Sequence, residues 1–165
     1  MPDSIHYYPL TKMNFVVLAE GITGVAAFTE VTGIDATVEV IEFRQGNAAS
    51  MAPVKIPGLV KHGNITLKMG YVSDMDFKNW VIQCVDDVRK EAVERRTVTI
   101  ELIDIADKAA PQSPVEATNT SLHKIWRLKN AWVTKYTGPD LNASVSEVAI
   151  ETMELAYEEI SQLPN

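Results

Sequence analysis

The feature that most limits how this chain can fold is apolar residues alternating at every second position in segment after segment. Phe15, Val17 and Ala19 open the series, and the Gly21–Gly24 stretch reads as the turn that follows. A second strand is expected over Val25–Val31 and a third, rich in β-branched and charged residues, over Thr37–Arg44. Ile65, Leu67 and Met69 mark a fourth strand, and Val98, Ile100 and Leu102 a fifth. Trp126, Leu128, Trp132 and Tyr136 share one parity of a long sixth. Successive strand side chains point to opposite faces, so each segment reads as a half-buried strand.

One segment follows a different period. Phe77, Trp80, Val81, Cys84, Val85 and Val88 recur at helical spacing and form one apolar stripe, predicting an amphipathic helix over about residues 74–91. Ser73 or Asp74 can cap its start, and Arg89 and Lys90 suit its negative end. Cys84 falls on the stripe and reads as a packed thiol rather than a nucleophile. The expected fold is therefore mainly β, with a single helix laid on a sheet. Residues 45–61, with Pro53 and Pro57-Gly58, and residues 106–122, with Pro111 and Pro114, read as long loops. Loops of that length are uncommon unless they serve a function. The last segment is ambiguous: Ala149, Ile150, Met153, Ala156, Tyr157 and Ile160 fit a helix. A strand with a bulge near Glu151-Thr152 instead puts Val148, Ile150, Met153, Leu155 and Tyr157 on one side.

Charge excludes some functions. The 165 residues carry a net charge of −7, which opposes a grip on nucleic acid through phosphate neutralisation. Six acids and no Lys or Arg lie in residues 136–165; the other 135 residues hold 16 acids and 15 bases. No run approaches the ~20 apolar residues of a membrane span, and no signal-peptide pattern opens the chain.

Residue patterns that carry chemistry are scarce. His6, His62 and His123 lie far apart, and with a single cysteine no zinc-ligand spacing exists. There is no nucleophile elbow, phosphate loop or dinucleotide fingerprint. Asp74 and Asp76 lack the glycine and closing glutamate of a calcium loop. No catalytic, cofactor or metal residue is expected. What remains is a set of strands whose sheet edges must be closed, covered or paired, and pairing with copies of the same chain is the simplest solution.

Five blocks in order resemble one family. Phe28-Thr-Glu-Val-Thr-Gly-Ile34 with Val40-Ile-Glu-Phe-Arg-Gln-Gly46 resembles the first hairpin of contractile-tail tube proteins. Ile56-Pro-Gly-Leu59 and Gly63-Asn-Ile-Thr-Leu-Lys-Met-Gly70 are similar to the next segment, with Trp80 in the following helix. Trp126–Trp132, Lys135–Ala143 and Glu147–Ala156 complete the set, which covers about residues 13–160. The family includes phage tail tubes and the inner tubes of R-type bacteriocins and extracellular contractile injection systems. It is similar in fold to the haemolysin-coregulated tube protein of type VI secretion.

The resemblance implies a β-sandwich-like barrel with one outer helix, six copies forming a ring around a continuous inner β-barrel, and rings stacked inside a contractile sheath. The whole of 1–165 is then one tail-tube domain, with an N-terminal arm (1–12), a ring-stacking loop (45–61) and an outer loop (106–122). Val25–Arg44 and Trp132–Ala156 are the hairpins expected to line the channel, which makes the last segment a strand. Glu147, Glu151 and Glu154 are then lumen-facing candidates, and Met51, Pro53, Ile56, Pro57, Gly58 and Leu59 are ring-stacking candidates. Implied partners are the chain itself, the sheath, baseplate or spike and cap proteins, and an effector or DNA in the lumen. No membrane insertion or enzymatic activity is implied, and assembly is expected in the cytoplasm before the particle acts outside it or within a virion. A DNA-conducting phage tail is the neighbouring alternative; a monomeric β-barrel binding module is the alternative of a different class.

Overall fold

A computed structural model describes residues 15–23, 28–70, 75–88, 92–102, 124–144 and 147–163. Strands β1 (Phe15–Ala19), β2 (Phe28–Thr32), β3 (Thr37–Phe43), β4 (Val54–Lys61) and β5 (Ile65–Gly70) precede the helix α1 (Met75–Val85). Strands β6 (Arg96–Leu102), β7 (Lys124–Thr137), β8 (Ile150–Ala156) and β9 (Glu159–Leu163) follow it. The main sheet runs β1-β6-β7-β8-β5-β2, all antiparallel, with β9 also on β7; β3 and β4 form a separate hairpin.

β7 is the spine. Its first half lies between β6 and β9, and its second half pairs with β8, so one long strand serves two sheets. The change of sheet occurs at Asn130, which adopts φ 52°. Asn is one of the few side chains that visits this region readily. Its amide donates to Glu158 at 2.7 Å, and the Glu158 N–H donates to Lys129 O at 3.1 Å, so the break between β8 and β9 is tied to the bend. The pairing of β6 with β7 shifts here, and the extra residue changes which side chains turn inward. Leu128, Ala131 and Val133 are buried, whereas Trp126 and Trp132 are half-buried and Tyr136 is 36 % exposed. The single parity expected for this strand is thus broken by a bulge.

The core lies between the two halves of the sheet. Ile65, Leu67, Val98, Leu128, Met153 and Leu155 are fully enclosed, and α1 seals them with Phe77, Trp80, Val81 and Cys84. Phe77 stands edge-on to both Phe28 and Trp80, with centroids 5.4 and 5.6 Å apart. Trp80 donates its indole N–H to Glu94 O at 2.9 Å, satisfying the one polar atom of that ring.

Four expectations need correction. The helix ends at Val85, short of residue 91: Asp86 accepts the Val88 N–H at 3.1 Å, a side-chain-to-backbone bond that competes with another helical turn. Acids at Asp86 and Asp87 also suit a helix C-terminus poorly. Val88 is consequently 70 % exposed and Val85 is exposed as well, so neither joins the buried stripe. Second, residues 45–61 are not one loop, because Val54–Lys61 is the return strand of a hairpin with β3. Pro57 is accommodated beside a register shift, where Gly58 lies so close to Glu39 O that an added Cβ would sit 3.1 Å from it. Third, Val25–Arg44 is not a hairpin, since β2 pairs with β5 and β3 with β4. Fourth, the last segment is a strand, but β5 and β8 stay in register from Ile65↔Leu155 to Gly70↔Ile150, with no bulge at Glu151-Thr152. Val148 and Ile150 are therefore exposed. Trp132 does pair with Ala156, as expected of the second hairpin. The N-terminal arm, the outer loop 106–122 and the helix-capping Ser73 and Asp74 lie outside the described residues.

Candidate assembly interface

Three surfaces of the protomer are unfinished. The first is the β3–β4 arm, whose residues are almost all exposed. Ile41 and Phe43 stand opposite Ile56 and Val54 on one face; Val38 and Val40 stand opposite Val60 and Pro57 on the other. All of these apolar side chains reach solvent, as does Leu59. A lone two-stranded hairpin is at best marginally stable in water, and an apolar surface of this extent marks an interaction site. Of the ring-stacking candidates, Met51, Pro53, Ile56, Pro57 and Leu59 are exposed on this arm, with Gly58 half-buried. Sequence reading missed Val38, Val40, Ile41, Phe43, Val54 and Val60. The signal was present in Val38-Glu-Val-Ile-Glu-Phe43, where apolar residues occupy both parities and a one-sided strand would show only one.

The arm joins the body at a clasp. Asp35 Oδ1 accepts the Gly63 N–H at 2.8 Å, His62 Nδ1 lies 3.2 Å from Asp35 O, and Tyr157 donates its hydroxyl to the same carbonyl at 3.3 Å. Burial first, and then the negative charge of Asp35, raise the Tyr157 pKa above its ordinary value of 10.0. Gly33 (φ 88°) turns the chain into the arm; a Cβ there would lie 2.5 Å from Asn64 O. The joint therefore needs glycine on two counts.

The second surface is the outward face of β2, β5, β8 and the end of β7. Glu30, Lys68, Thr152 and Thr137 stand in one row across it, and Thr32, Thr66, Glu154 and Lys135 in the next. The third is the pair of edges of that same sheet: among the described residues, β2 has no partner beyond β5, and β7 has none beside β8 after Ala131.

The expected lumen carboxylates separate. Glu154 projects onto the polar face beside Lys135 (3.6 Å), and Glu147 is exposed just before β8. Glu151 is a correction: it shares parity with Met153 and Leu155, and its side chain is 2 % exposed. It accepts a hydrogen bond from the Tyr136 hydroxyl at 2.9 Å and lies 3.4 Å from Lys78 of α1. Glu151 thus pins the helix to the sheet. Among the described residues no cluster of His, Cys, Asp or Glu could hold a metal ion, and no helix is long and apolar enough to cross a membrane.

The comparisons bear on these surfaces. No curated protein matches the chain by sequence. A solved chain from the sheath–tube complex of an extracellular contractile injection system, PVC, in its extended state is 24% identical with TM-score 0.71; the match covers 94% of this chain and 92% of that one. A chain of the six-fold symmetrised baseplate of the anti-feeding prophage is 23% identical with TM-score 0.71, covering 95% and 97%. Hcp1 from Flavobacterium johnsoniae is 16% identical with TM-score 0.53, covering 90% and 93%. These likenesses establish a tail-tube fold. Residues 11–161 match the family model described as T4-like virus tail tube protein gp19, and the chain accordingly belongs to that family of structural tube proteins.

Proposed function

We propose that this chain is the inner-tube subunit of a contractile injection system, with all of residues 1–165 acting as one structural domain and no catalysis of its own. The observation that carries the reading is the position of the protomer's hydrophobic surplus and unpaired strand edges, which lie on its outside. In a ring of six, β2 of one copy pairs with the β7 end of the next, and the six sheets close into one inner barrel. Closure of that kind removes edges that would otherwise aggregate. The arm reaches the adjacent ring, burying Ile41, Phe43, Val54, Ile56 and Leu59 together with Met51, Pro53 and Pro57. Glu154 then faces the channel, with Glu147 near its rim.

The sheath, the baseplate or spike and a cap are the proposed partners. Chains of this fold occur in a sheath–tube complex and in a six-fold baseplate. Rings form in the cytoplasm and work in a phage tail-like particle. A second reading, a DNA-conducting phage tail tube, is favoured by the viral protein that names the family; nucleic acid rather than protein inside purified particles would select it. Negative-stain microscopy of the purified chain tests the main reading: six-fold rings or stacked tubes support it. A chain that stays monomeric at all concentrations refutes it and favours a small β-barrel binding module.

A further inference from the structure

The polar face of β2, β5, β8 and β7 has a charge pattern that the chain's overall acidity does not suggest. Each of its two rows contains one carboxylate, one ammonium and two threonines. In the first row Lys68 reaches Glu30 at 2.9 Å; in the second Lys135 reaches Glu154 at 3.6 Å. All four charged side chains are partly open to solvent, so the pairs are presented at the surface rather than buried. Thr32, Thr66, Thr137 and Thr152 fill the remaining positions with hydroxyls that both donate and accept. These two rows sum to zero in a chain of net charge −7. Neither of these two rows carries an aromatic side chain on which a base could stack.

A close pair of opposite charges presents a dipole, whose field falls off faster than that of a lone ion. At physiological salt, screening acts over about 8 Å, so little of that field reaches a polymer passing near the axis of a channel. Like charge on a wall repels phosphates, and these two rows carry no surplus of it. A polypeptide of interspersed charges finds only transient, mutually cancelling contacts here. Resting on the tube reading above, we infer that this face is a charge-cancelled, hydroxyl-lined track for polypeptide cargo of mixed charge. Glu30 and Glu154 are the residues that keep Lys68 and Lys135 from gripping a polyanion.

The test uses full-length chain assembled into rings or tubes, checked first by microscopy. Three fluorescent probes are then co-sedimented at physiological ionic strength: a single-stranded oligonucleotide, poly-lysine and poly-glutamate. Wild-type particles retain neither polyanion and hold poly-lysine only to the baseline set by the acidic surface outside these rows. Particles carrying Glu30→Gln and Glu154→Gln retain the oligonucleotide and poly-glutamate at least about tenfold more strongly, and added salt abolishes the gain. Lys68→Gln with Lys135→Gln shifts retention to poly-lysine. Exposed pairs contribute little to folding, so all variants keep the wild-type melting temperature. Wild-type particles that hold the oligonucleotide as tightly as the Glu30/Glu154 variant overturn the inference, as do assembled variants whose probe retention does not change. A wild-type chain that never assembles refutes the tube reading instead, and the channel role of this face with it.

Discussion

The arm offers the sharpest perturbation. Ile41 and Phe43 are 52 and 53 % exposed in the protomer, so about half of each side chain remains to be covered when a neighbour docks. Full burial of such a side chain is worth about 1.5–3 kcal/mol, which leaves about 1 kcal/mol for each residue at the interface. Replacing both with Thr keeps residue types that a strand favours and removes about 2 kcal/mol from each arm contact. A hydroxyl buried without a partner adds about 1 kcal/mol more at each position. The sum, about 2–4 kcal/mol, corresponds to a roughly 30- to 700-fold weaker contact. Ile41→Thr/Phe43→Thr should therefore raise the concentration at which tubes form by at least about 30-fold, read by sedimentation velocity over a dilution series. The thermal melt of the dilute protomer should stay within the effect of an ordinary surface change, about 0.5 kcal/mol. Unchanged assembly would refute the docking role of this face. A large loss of protomer stability would show that the arm packs on its own body.

Three further outcomes are expected. Lys78→Met leaves Glu151 enclosed at 2 % exposure without its ammonium, and Lys78 itself is only 25 % exposed. Urea unfolding should show a loss of about 2–3 kcal/mol, below the 3–5 of a fully buried pair, with recovery when Glu151→Leu is added. Gly33→Ala, at φ 88° and against Asn64 O, should cost at least about 1–2 kcal/mol; Gly46→Ala at the arm tip, with nothing within 4 Å, should be close to neutral. Tyr157 titrates above its unfolded value of 10.0 in the native state, so its contribution is complete below that pH. It is lost as pH rises through the native pKa, because the unfolded chain ionises first. Tyr157→Phe should flatten that alkaline loss in a series of melts, and removing the bond to Asp35 O should cost about 1 kcal/mol at neutral pH.

Where one rule governed, the sequence was informative. Ile65, Leu67 and Met69, like Val98 and Ile100, sit in central strands with one buried face, and alternation located them. Phe77, Trp80, Val81 and Cys84 are buried as the helical stripe demands, whereas Val88 is lost to Asp86, whose carboxylate ends the helix by a local bond that periodicity does not register. The β3–β4 arm escaped because Pro57-Gly58 reads as a loop until a bulge is known to hold it, and bulges follow from pairing partners far along the chain. Glu151 was misread for a related reason. Its parity depends on register with β5, and an acid on the inward side is tolerable only because Lys78 and Tyr136 converge on it from other elements. The long β7 shows the same limit at Asn130, where one residue in an unusual conformation reverses the order of inside and outside.

Oxidative crosslinking tests most directly whether neighbouring copies complete the sheet. Residues 30 and 32 on β2 and residues 135 and 137 on β7 lie on the same face but on opposite edges, three strand spacings apart, about 14 Å within one protomer. That is beyond the reach of a disulfide, and the native Cys84 is buried. Chains carrying one cysteine from each edge, such as Thr32→Cys with Thr137→Cys, should give a ladder of covalent oligomers on a non-reducing gel that stops at six. If ring-forming preparations yield only monomers across every such pairing, the edges do not meet, and a shared inner barrel is ruled out.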